Sequence, residues 1–400
     1  MAETRRLTTA EAAERLGVKA ETLYAYASRG LVEPRRTPGG ASTYDVRDVE
    51  RLARAGRRSR RLPPLVFPSS LTLIGGGRVS YRGVDAVSAT AEHGFEEVAE
   101  WLWTGAWPEH TRWPVDLEAL DRVEAAQRSL ADGVLPLDRL QVIAVVAGAR
   151  DRRATAGVEP VPSAARRLIR LLVHGLPRAD HRSARRVEPV RGVAEVLWTR
   201  LTRLPRTPER VAVLDVALGL LADHELASST LAARLAAMVR ADVADVVGAG
   251  LNVLGGSRHG GATLATESLL RDVARSGVGP AFDRHRSRGA APGFGHALYP
   301  DGDPRAAALL ERLAALDPPG DRLAVVTGAL DAADRLDLPP PNVDLGLAGL
   351  AFCADMTPGA AEAIFAIARA AGWIAHAIEQ YEQPTFMRAR VDYVGPEPGS

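Results

Sequence analysis

The sequence is poor in the residues that build disulfides and metal centres. Cys353 is the only cysteine among 400 residues, so no disulfide can form within the chain, which is typical of a protein from a reducing cytoplasm. No Cys/His cluster has metal-ligand spacing, and no glycine-rich segment matches a P-loop or a dinucleotide-binding loop. We therefore expect no metal site and no nucleotide site of those types.

Long apolar runs are also missing. The chain begins with polar and charged residues rather than an apolar signal core, and no uninterrupted apolar run is long enough to cross a bilayer. These absences predict a cytoplasmic protein that does not act at a membrane. Lysine is almost missing too, because Lys19 is the only one and arginine carries nearly all the positive charge.

The charge that is present is unevenly distributed. The whole chain is almost neutral, with 50 basic and 49 acidic side chains. Residues 1–61 nevertheless carry fourteen basic against eight acidic side chains, whereas the remainder has a net charge of −5. A basic head followed by a mildly acidic body suggests a polyanionic partner for the head. The length allows two or three domains.

The basic head has the pattern of two short helices and a wing. Thr8 and Glu11 fit a capping box, and Gly17 provides a turn before a second apolar pattern. This spacing resembles the winged helix-turn-helix of MerR- and excisionase-type proteins, with residues 35–44 as the wing. The resemblance implies DNA binding through the second helix in the major groove. It assigns base-facing positions to Lys19, Glu21, Thr22 and Tyr26, and phosphate contacts to Arg35, Arg36, Arg57 and Arg58.

One alternative to DNA binding remains open for the head. It can be a dimerisation or packing module that touches no DNA, and Glu21 on the reading helix does not favour phosphate nearby. The proline-ended stretch 56–64 is interpreted as a basic linker.

The body is predicted to be mainly helical. Residues 71–81 have the short apolar runs and glycine turn of a hairpin, and helical periodicity dominates from Phe95 onwards. The absence of strand-helix alternation argues against a parallel α/β sheet. A strong amphipathic helix is expected over residues 360–380, with Trp373 and His376 in the core.

Three turn-rich stretches carry the chemistry. The first, residues 293–305, places His296 between glycine-flanked backbone and Arg305 behind an Asp-Pro pair. Histidine titrates near neutral pH and arginine matches a carboxylate, so this stretch predicts a site for a small organic acid. Residues 255–261 add His259, and residues 341–344 add Asp344.

These stretches, with their flanking sequence, resemble the citrate/2-methylcitrate synthase family. The resemblance covers roughly five-sixths of the chain, from about Leu65 to the C-terminus. Its motifs, in the family's order, are Tyr81-Arg82-Gly83-Val84-Asp85, Ala222-Asp223-His224-Glu225, His259-Gly260-Gly261, Gly293-Phe294-Gly295-His296, Asp303-Pro304-Arg305, Asn342-Val343-Asp344, Ala368-Arg369, Gly372-Trp373-Ile374-Ala375-His376 and Arg388 to Gly395.

The resemblance implies a mainly α fold with all-helical large and small domains behind the winged head. We expect a helix-turn-helix head at 1–55, a linker at 56–64, a large domain at 65–261 and 356–400, and a small domain at 262–355. It also implies a homodimer in which Arg388 is lent across the interface.

The implied reaction is a Claisen condensation of acetyl-CoA with oxaloacetate, giving citrate and coenzyme A in the tricarboxylic acid cycle. Such an enzyme is an acyltransferase that converts the acyl group into alkyl on transfer, with the thioester as substrate and no separate cofactor. The family's roles fall on Asp344 as base, on His259 at the thioester oxygen and on His296 at the acceptor carbonyl. His224, Arg305, Arg369 and Arg388 would hold the oxo acid.

Alternatives remain at this level. The acyl donor can instead be propionyl-CoA, giving 2-methylcitrate, since one methylene discriminates by only ~1–3 kcal/mol. The chain can also be a DNA-binding regulator whose body senses an acyl-CoA or oxo acid. His224 can be a helix cap, and Asp344 can be the N-cap of the following helix. The sequence departs from the family's pattern at Leu221, Ala227, Arg258 and Ala297 and in the stretch after Asp344.

Overall fold

A computed structural model of the protein describes residues 6–28, 30–37, 40–50, 52, 66–109, 111, 113–149, 159–180, 191–287 and 291–383. The described residues form two compact units, one within residues 1–68 and the other within residues 69–387. We refer to these as the head unit and the body. The division of the body into a large and a small domain stays a prediction.

The head unit is a small winged helix-turn-helix. Its elements are β1 (Arg6–Thr8), α1 (Thr9–Leu16), α2 (Ala20–Ser28), β2 (Pro34–Arg36), β3 (Ser42–Asp45) and a helix α3 over residues 46–50. The strands form an antiparallel sheet in the order β1-β3-β2, so β2 and β3 make the expected wing. The capping box of Thr8 and Glu11 is present, and Gly17 ends α1 in the left-handed conformation. The predicted helix pair and wing are therefore confirmed.

The head unit has a hydrophobic core of its own. Its buried members are Leu7, Ala12, Ala13, Leu23, Val32, Tyr44 and Val49. They come from the strands, the helices and the wing, so burial of apolar surface fixes the wing against the helix pair.

The body opens with the predicted hairpin. Strands β4 (Thr72–Gly75) and β5 (Arg78–Tyr81) pair antiparallel around a Gly76-Gly77 turn, and β6 (Val84–Asp85) extends the sheet. Both turn glycines have positive φ, which a glycine tolerates at little cost. The buried Tyr81 hydroxyl lies 2.9 Å from the Leu220 carbonyl oxygen, which anchors the sheet on the helical core.

The remaining named elements of the described body are helices. They are α4 (Ala86–Glu92), α5 (Phe95–Thr104), α6 (Leu117–Gln127), α7 (Pro136–Gly148), α8 (Val161–Gly175), α9 (Val193–Leu201), α10 (Pro208–Leu220), α11 (Ser228–Met238), α12 (Val243–Leu254), α13 (Gly260–Ser276), α14 (Val278–Arg286), α15 (Pro304–Leu310), a 3₁₀ turn (Leu313–Leu316), α16 (Arg322–Arg335), α17 (Val343–Cys353) and α18 (Ala360–Glu382). Several helices begin with proline at the first turn, where its missing N–H costs nothing.

Helix α18 is the centre of the body. It contacts α5, α7, α8, α10, α11, α12, α13 and α17. In the part of the chain that the structure describes, it is the one helix long and apolar enough to cross a membrane, but 94% of its apolar window is buried inside the protein. It is therefore a core helix. Trp373 and His376 are buried on it, as expected.

Candidate active site

Six of the residues predicted for the body line one cavity. Its volume is about 480 Å³, and its walls come from the segment after α10, the starts of α13, α15 and α17, the loop before α15, and α18. The predicted residues it brings together are His224, His259, His296, Arg305, Asp344 and Arg369. The seventh, Arg388, lies outside the described residues.

The loop that carries His296 is fixed by backbone hydrogen bonds. Gly293 and Gly295 have φ of 88° and 78°, a conformation that disfavours any side chain with a Cβ. The Asn342 N–H donates to the Gly293 carbonyl (2.9 Å), and the Gly295 N–H donates to the Pro340 carbonyl (2.7 Å). The Asn342 side-chain amide also donates to the Gly295 carbonyl (2.9 Å). These bonds join the histidine loop to the start of α17.

Asp344 lies in the first turn of α17 but does not cap it. The N-cap is Asn342, whose side-chain oxygen accepts a hydrogen bond of 3.0 Å from the Asp344 N–H. The N-cap hypothesis for Asp344 is therefore wrong. The Asp344 side chain instead accepts a 2.6 Å hydrogen bond from the Thr263 hydroxyl on α13. Burial raises the pKa of Asp344 although the Thr263 bond opposes it, which makes the carboxylate a stronger base.

His259 stands at the N-cap of α13. Its Nε2 lies 2.8 Å from the Ser229 hydroxyl. The His259 and Phe365 rings pack edge to face, with their centroids 5.7 Å apart. Burial, reinforced by the Arg369 charge, lowers the pKa of His259 to about 4. The imidazole is therefore neutral at pH 7 and can donate a hydrogen bond without carrying charge.

The rings of His296 and His224 lie edge to face in the cavity wall, with centroids 5.5 Å apart. The Leu298 N–H donates to His296 Nδ1 (3.1 Å), so the neutral ring carries its own hydrogen on Nε2. Burial and then the Arg305 charge lower the pKa of His296. His224 Nε2 lies 2.9 Å from the Tyr299 hydroxyl, and burial places the pKa of His224 far below its usual range.

His224 is not a helix cap either. Helix α10 ends at Leu220 and its C-cap is Leu221, so His224 lies in the loop beyond it. The alternative raised from the sequence is therefore wrong.

Two buried arginines form the cationic wall. Asp303 holds Arg305 through bonds to Nε (3.0 Å) and Nη2 (2.8 Å), and accepts a third bond from the Val343 N–H (3.0 Å). Burial works to lower the pKa of Arg305, but the Asp303 carboxylate raises it overall. Arg369 donates from Nε to the Leu221 carbonyl (2.8 Å), and burial lowers the pKa of Arg369 to about 10. Both remain cations at pH 7.

Sequence reasoning missed the residues that orient these groups. Ser229, Thr263, Tyr299 and Phe365 contact the histidines and Asp344 directly, and Asp303 holds Arg305. Tyr299 and Asp303 lie inside the loop already singled out, so their polar side chains were a usable signal. Ser229 and Thr263 lie on helices, where a hydroxyl residue gives no sequence signal of its partner.

The candidate DNA contacts belong to the head unit. Arg35 and Arg36 are exposed on β2, and Lys19 is exposed just before α2. Tyr26 packs against the head core, whereas Tyr24 is 53% exposed on the same helix. Thr22 is half-buried and Glu21 is exposed. Arg57 and Arg58 lie outside the described residues.

The cavity thus combines a carboxylate of raised pKa, three neutral imidazoles and two buried guanidinium groups. A family model described as "Citrate synthase, C-terminal domain" matches residues 65–390, which is most of the chain. The chain belongs to the citrate synthase family. Over the N-terminal part, residues 7–57 match a model described as "MerR HTH family regulatory protein".

Similar proteins cover all or part of this family domain. Citrate synthase 2 of Bacillus subtilis is 29% identical over 355 residues, covering 82% of this chain and 93% of that protein. The 2-methylcitrate synthase of Shewanella oneidensis is 35% identical over 198 residues, covering 46% of this chain and 51% of that protein. The crystal structure of citrate synthase from Thermotoga maritima superposes with a TM-score of 0.69 at 22% identity, covering 85% and 96% of the two chains. This last likeness establishes the citrate synthase fold.

Proposed function

We propose that this family member condenses acetyl-CoA with oxaloacetate to give citrate and coenzyme A. The observation that carries the proposal is the cavity itself, where Asp344 and the two histidines His259 and His296 face two buried arginines. Carbon–carbon bond formation from a thioester needs a base for the α-proton and neutral donors for the oxygen charge that develops. The cavity supplies both without a cofactor, and coenzyme A enters as part of the substrate.

The first step makes the carbon nucleophile. The Asp344 carboxylate takes a proton from the thioester methyl group, and the C–H electron pair moves into the enolate. His259 donates a hydrogen bond to the enolate oxygen. The Ser229 hydroxyl, donating to Nε2, would keep the hydrogen of the neutral ring on Nδ1 for this purpose. A donor already in place need not reorganise as the charge grows.

The second step joins the carbons. Arg305, Arg369 and His224 hold the oxo acid. The Nε2–H of His296 donates a hydrogen bond to the ketone oxygen of the oxo acid. The enolate carbon attacks the ketone carbon, and the former ketone oxygen takes the His296 proton as the C–C bond forms. Holding the two substrates in the correct orientation lowers the activation barrier, and proximity of this kind can contribute ~7–11 kcal/mol. Water then cleaves the thioester and releases coenzyme A.

The decisive assay measures thiol release from coenzyme A. Purified protein is mixed with oxaloacetate and either acetyl-CoA or propionyl-CoA, and kcat/KM is compared. The proposal expects turnover with acetyl-CoA at least equal to that with propionyl-CoA. A higher kcat/KM for propionyl-CoA would assign 2-methylcitrate synthesis, and no turnover with either thioester and any 2-oxo acid would refute a condensing enzyme. In the cell the expected setting is the cytoplasm and the tricarboxylic acid cycle.

A homodimer with shared sites is part of the proposal. The neighbouring helices α7, α11 and α12 leave Val145, Leu235 and Val253 between 36% and 71% exposed, and Val239 just beyond α11 is 65% exposed. Apolar side chains gathered on adjacent helices favour a protein contact. If Arg388 serves the partner's site, mixing Arg388→Ala and Asp344→Asn subunits will restore activity, since one hybrid site then has both residues. A hybrid that stays inactive would place Arg388 in its own chain's site.

DNA binding by the head unit is a second candidate function. The winged helix-turn-helix with Arg35 and Arg36 exposed on the wing supports it. In this proposal the two arginines contact phosphates, and α2 enters the major groove with Lys19 and Thr22 at or near the bases. Tyr26, which the sequence predicts to face the bases, packs against the head core instead and supports the helix. A body that binds an acyl-CoA or oxo acid could then regulate the head.

Gel shifts with the protein's own upstream region at several salt concentrations test this function. The pair of changes Arg35→Ala and Arg36→Ala should weaken binding and reduce the salt slope by about two, while Arg122→Ala in the body should do neither. No shift at low salt would leave the head as a packing module. Deleting residues 1–62 then shows whether the oligomer or the activity depends on it.

A further inference from the structure

Arg258 occupies the tip of the turn just before His259. The His259 N–H donates to the Gly256 carbonyl (2.9 Å), and the Gly261 N–H donates to the same carbonyl (3.2 Å). These bonds close the turn, so its tip has a defined place beside the histidine. Arg258 is exposed, and it lines the same cavity as the proposed catalytic residues.

The Arg258 guanidinium is available for a ligand. Among the residues that the structure describes, no carboxylate or carbonyl pairs with it. The other two arginines of the cavity are committed: Arg305 to Asp303, and Arg369 to the Leu221 carbonyl. Among the acidic residues that line the cavity, Glu225 is the one closest to Arg258 in sequence, and its carboxylate accepts a hydrogen bond of 2.8 Å from the Ile74 N–H. A cation exposed at a cavity wall and free of protein partners suits an anion that arrives with the substrate.

The position of Arg258 indicates which anion. His259 is the residue assigned to the thioester oxygen, so its sequence neighbour lies on the thioester side of the cavity rather than on the oxo-acid side. The cavity also includes Leu298, an apolar side chain that is 50% exposed, on the loop that carries His296. A cavity with an exposed cation beside His259 and an apolar side chain elsewhere in its lining fits a ligand that has an uncharged arm and phosphate groups, as coenzyme A has.

We propose that Arg258 binds the phosphate groups of the coenzyme A portion of the thioester substrate. This inference rests on the proposed condensation, but it assigns a residue that the reaction chemistry does not require. Arg258 is therefore a specificity residue, which distinguishes a full coenzyme A thioester from a shorter one. The family pattern has a small or apolar residue at this position, so the contact would be a property of this chain.

The test compares Arg258→Ala, Arg258→Lys and the unchanged enzyme on acetyl-CoA and on acetyl-pantetheine, which lacks the phosphates. With acetyl-CoA, Arg258→Ala should raise KM about tenfold, as expected for a hydrogen bond to a charged group, with kcat within about twofold. The KM of Arg258→Lys for acetyl-CoA should lie between those of Arg258→Ala and the unchanged enzyme. With acetyl-pantetheine, all three enzymes should have the same KM. The KM for oxaloacetate should not move, and Arg122→Ala on α6 serves as the charge-matched control.

Binding of coenzyme A itself, measured by calorimetry, gives a readout that needs no turnover. The dissociation constant should rise about tenfold in Arg258→Ala, and dephospho-coenzyme A then shows whether the 3′-phosphate or the pyrophosphate is contacted. An unchanged KM and dissociation constant in Arg258→Ala would overturn the inference. So would an equal loss on acetyl-pantetheine, because it would place the effect at the thioester. If the protein without substitutions binds coenzyme A but turns over no substrate, the proposed condensation is refuted, whereas the inference about Arg258 is still tested by the binding measurement.

Discussion

The Thr263 hydroxyl donates a 2.6 Å hydrogen bond to Asp344, and so joins α13 to α17 beside the cavity. Thr263 is one turn after His259, at the start of the same helix. The bond opposes the effect of burial, which raises the pKa of the Asp344 carboxyl. The pKa of the base is therefore set by two opposing effects, burial and the Thr263 hydrogen bond.

Replacing Thr263 by valine keeps the shape but removes the donor. The pKa of Asp344 should rise further, because the ionised carboxylate loses a hydrogen bond that favours it. The acid limb of the kcat/KM profile should consequently move to higher pH, and activity on the acid side should fall. Measuring kcat/KM from pH 5 to pH 9 checks this shift.

Thr263→Ser is the matched control for that change, since it retains the hydroxyl. Its acid limb should stay where the unchanged enzyme has it. Superimposable pH profiles for Thr263→Val and the unchanged enzyme would show that the Thr263 bond does not set the pKa of the base.

The positive φ of Gly293 is predicted to be necessary for the position of His296. A Cβ added there would lie 2.7 Å from the Thr266 Cγ2 atom, closer than real contacts allow, in addition to the strain at φ 88°. Gly293→Ala should therefore lower stability by about 1–3 kcal/mol and reduce kcat as the loop shifts. Thermal unfolding and thiol-release assays measure the two effects.

Gly277→Ala separates the strain from the clash. Gly277 also has positive φ (80°), but a Cβ there meets nothing within 4 Å. It should cost stability through backbone strain alone and leave kcat unchanged. If Gly293→Ala and Gly277→Ala lose the same stability and have the same kcat, the predicted clash with Thr266 has no effect, and this prediction is wrong.

A buried carboxyl outside the cavity should make stability depend on pH. Burial, and then the charge of Glu96, raises the pKa of Asp215 to about 7. Unfolded aspartate titrates near pH 4, so between these values the folded chain binds more protons, and the free energy of unfolding falls as pH rises. Below about pH 4 both states are protonated and this penalty disappears.

Asp215→Asn should remove that penalty. Asn can still accept the hydrogen bond that the Phe95 N–H donates to this side chain (3.3 Å). The variant should be more stable than the unchanged protein at pH 8, by on the order of 3 kcal/mol, with little difference at pH 4. Denaturant unfolding at both pH values checks this, with the exposed Asp331→Asn as control. A stability difference independent of pH would contradict the assignment.

Much of this structure follows from local patterns in the sequence. The capping box of Thr8, the wing, the hairpin and the long core helix all depend on residues near one another in the chain, so spacing and turn chemistry were enough to predict them. The role of Asp344 relative to its helix was harder, because Asn342 competes for the N-cap two residues earlier. Only the backbone geometry decides between two capping residues that lie so close in sequence.

The orienting residues of the site could not be predicted in the same way. Ser229 meets His259 from a different helix, and Thr263 meets Asp344 across 81 positions of sequence. Such pairs depend on helix packing, which the hydrophobic pattern of a single helix does not specify. The bidentate bond from Arg305 to Asp303 spans two residues only, and it could have been found from the Asp-Pro-Arg motif itself.

The measurement that tests the account most directly is turnover by Asp344→Asn. The change removes the base but keeps size and shape, and the helix keeps its N-cap because Asn342 provides it. If Asp344 takes the α-proton, kcat should fall by at least ~10²-fold. Oxaloacetate binding by calorimetry should persist, since Arg305 and Arg369 are unchanged. An Asp344→Asn protein that retains nearly full kcat would contradict the assignment of the base and the condensation mechanism built on it.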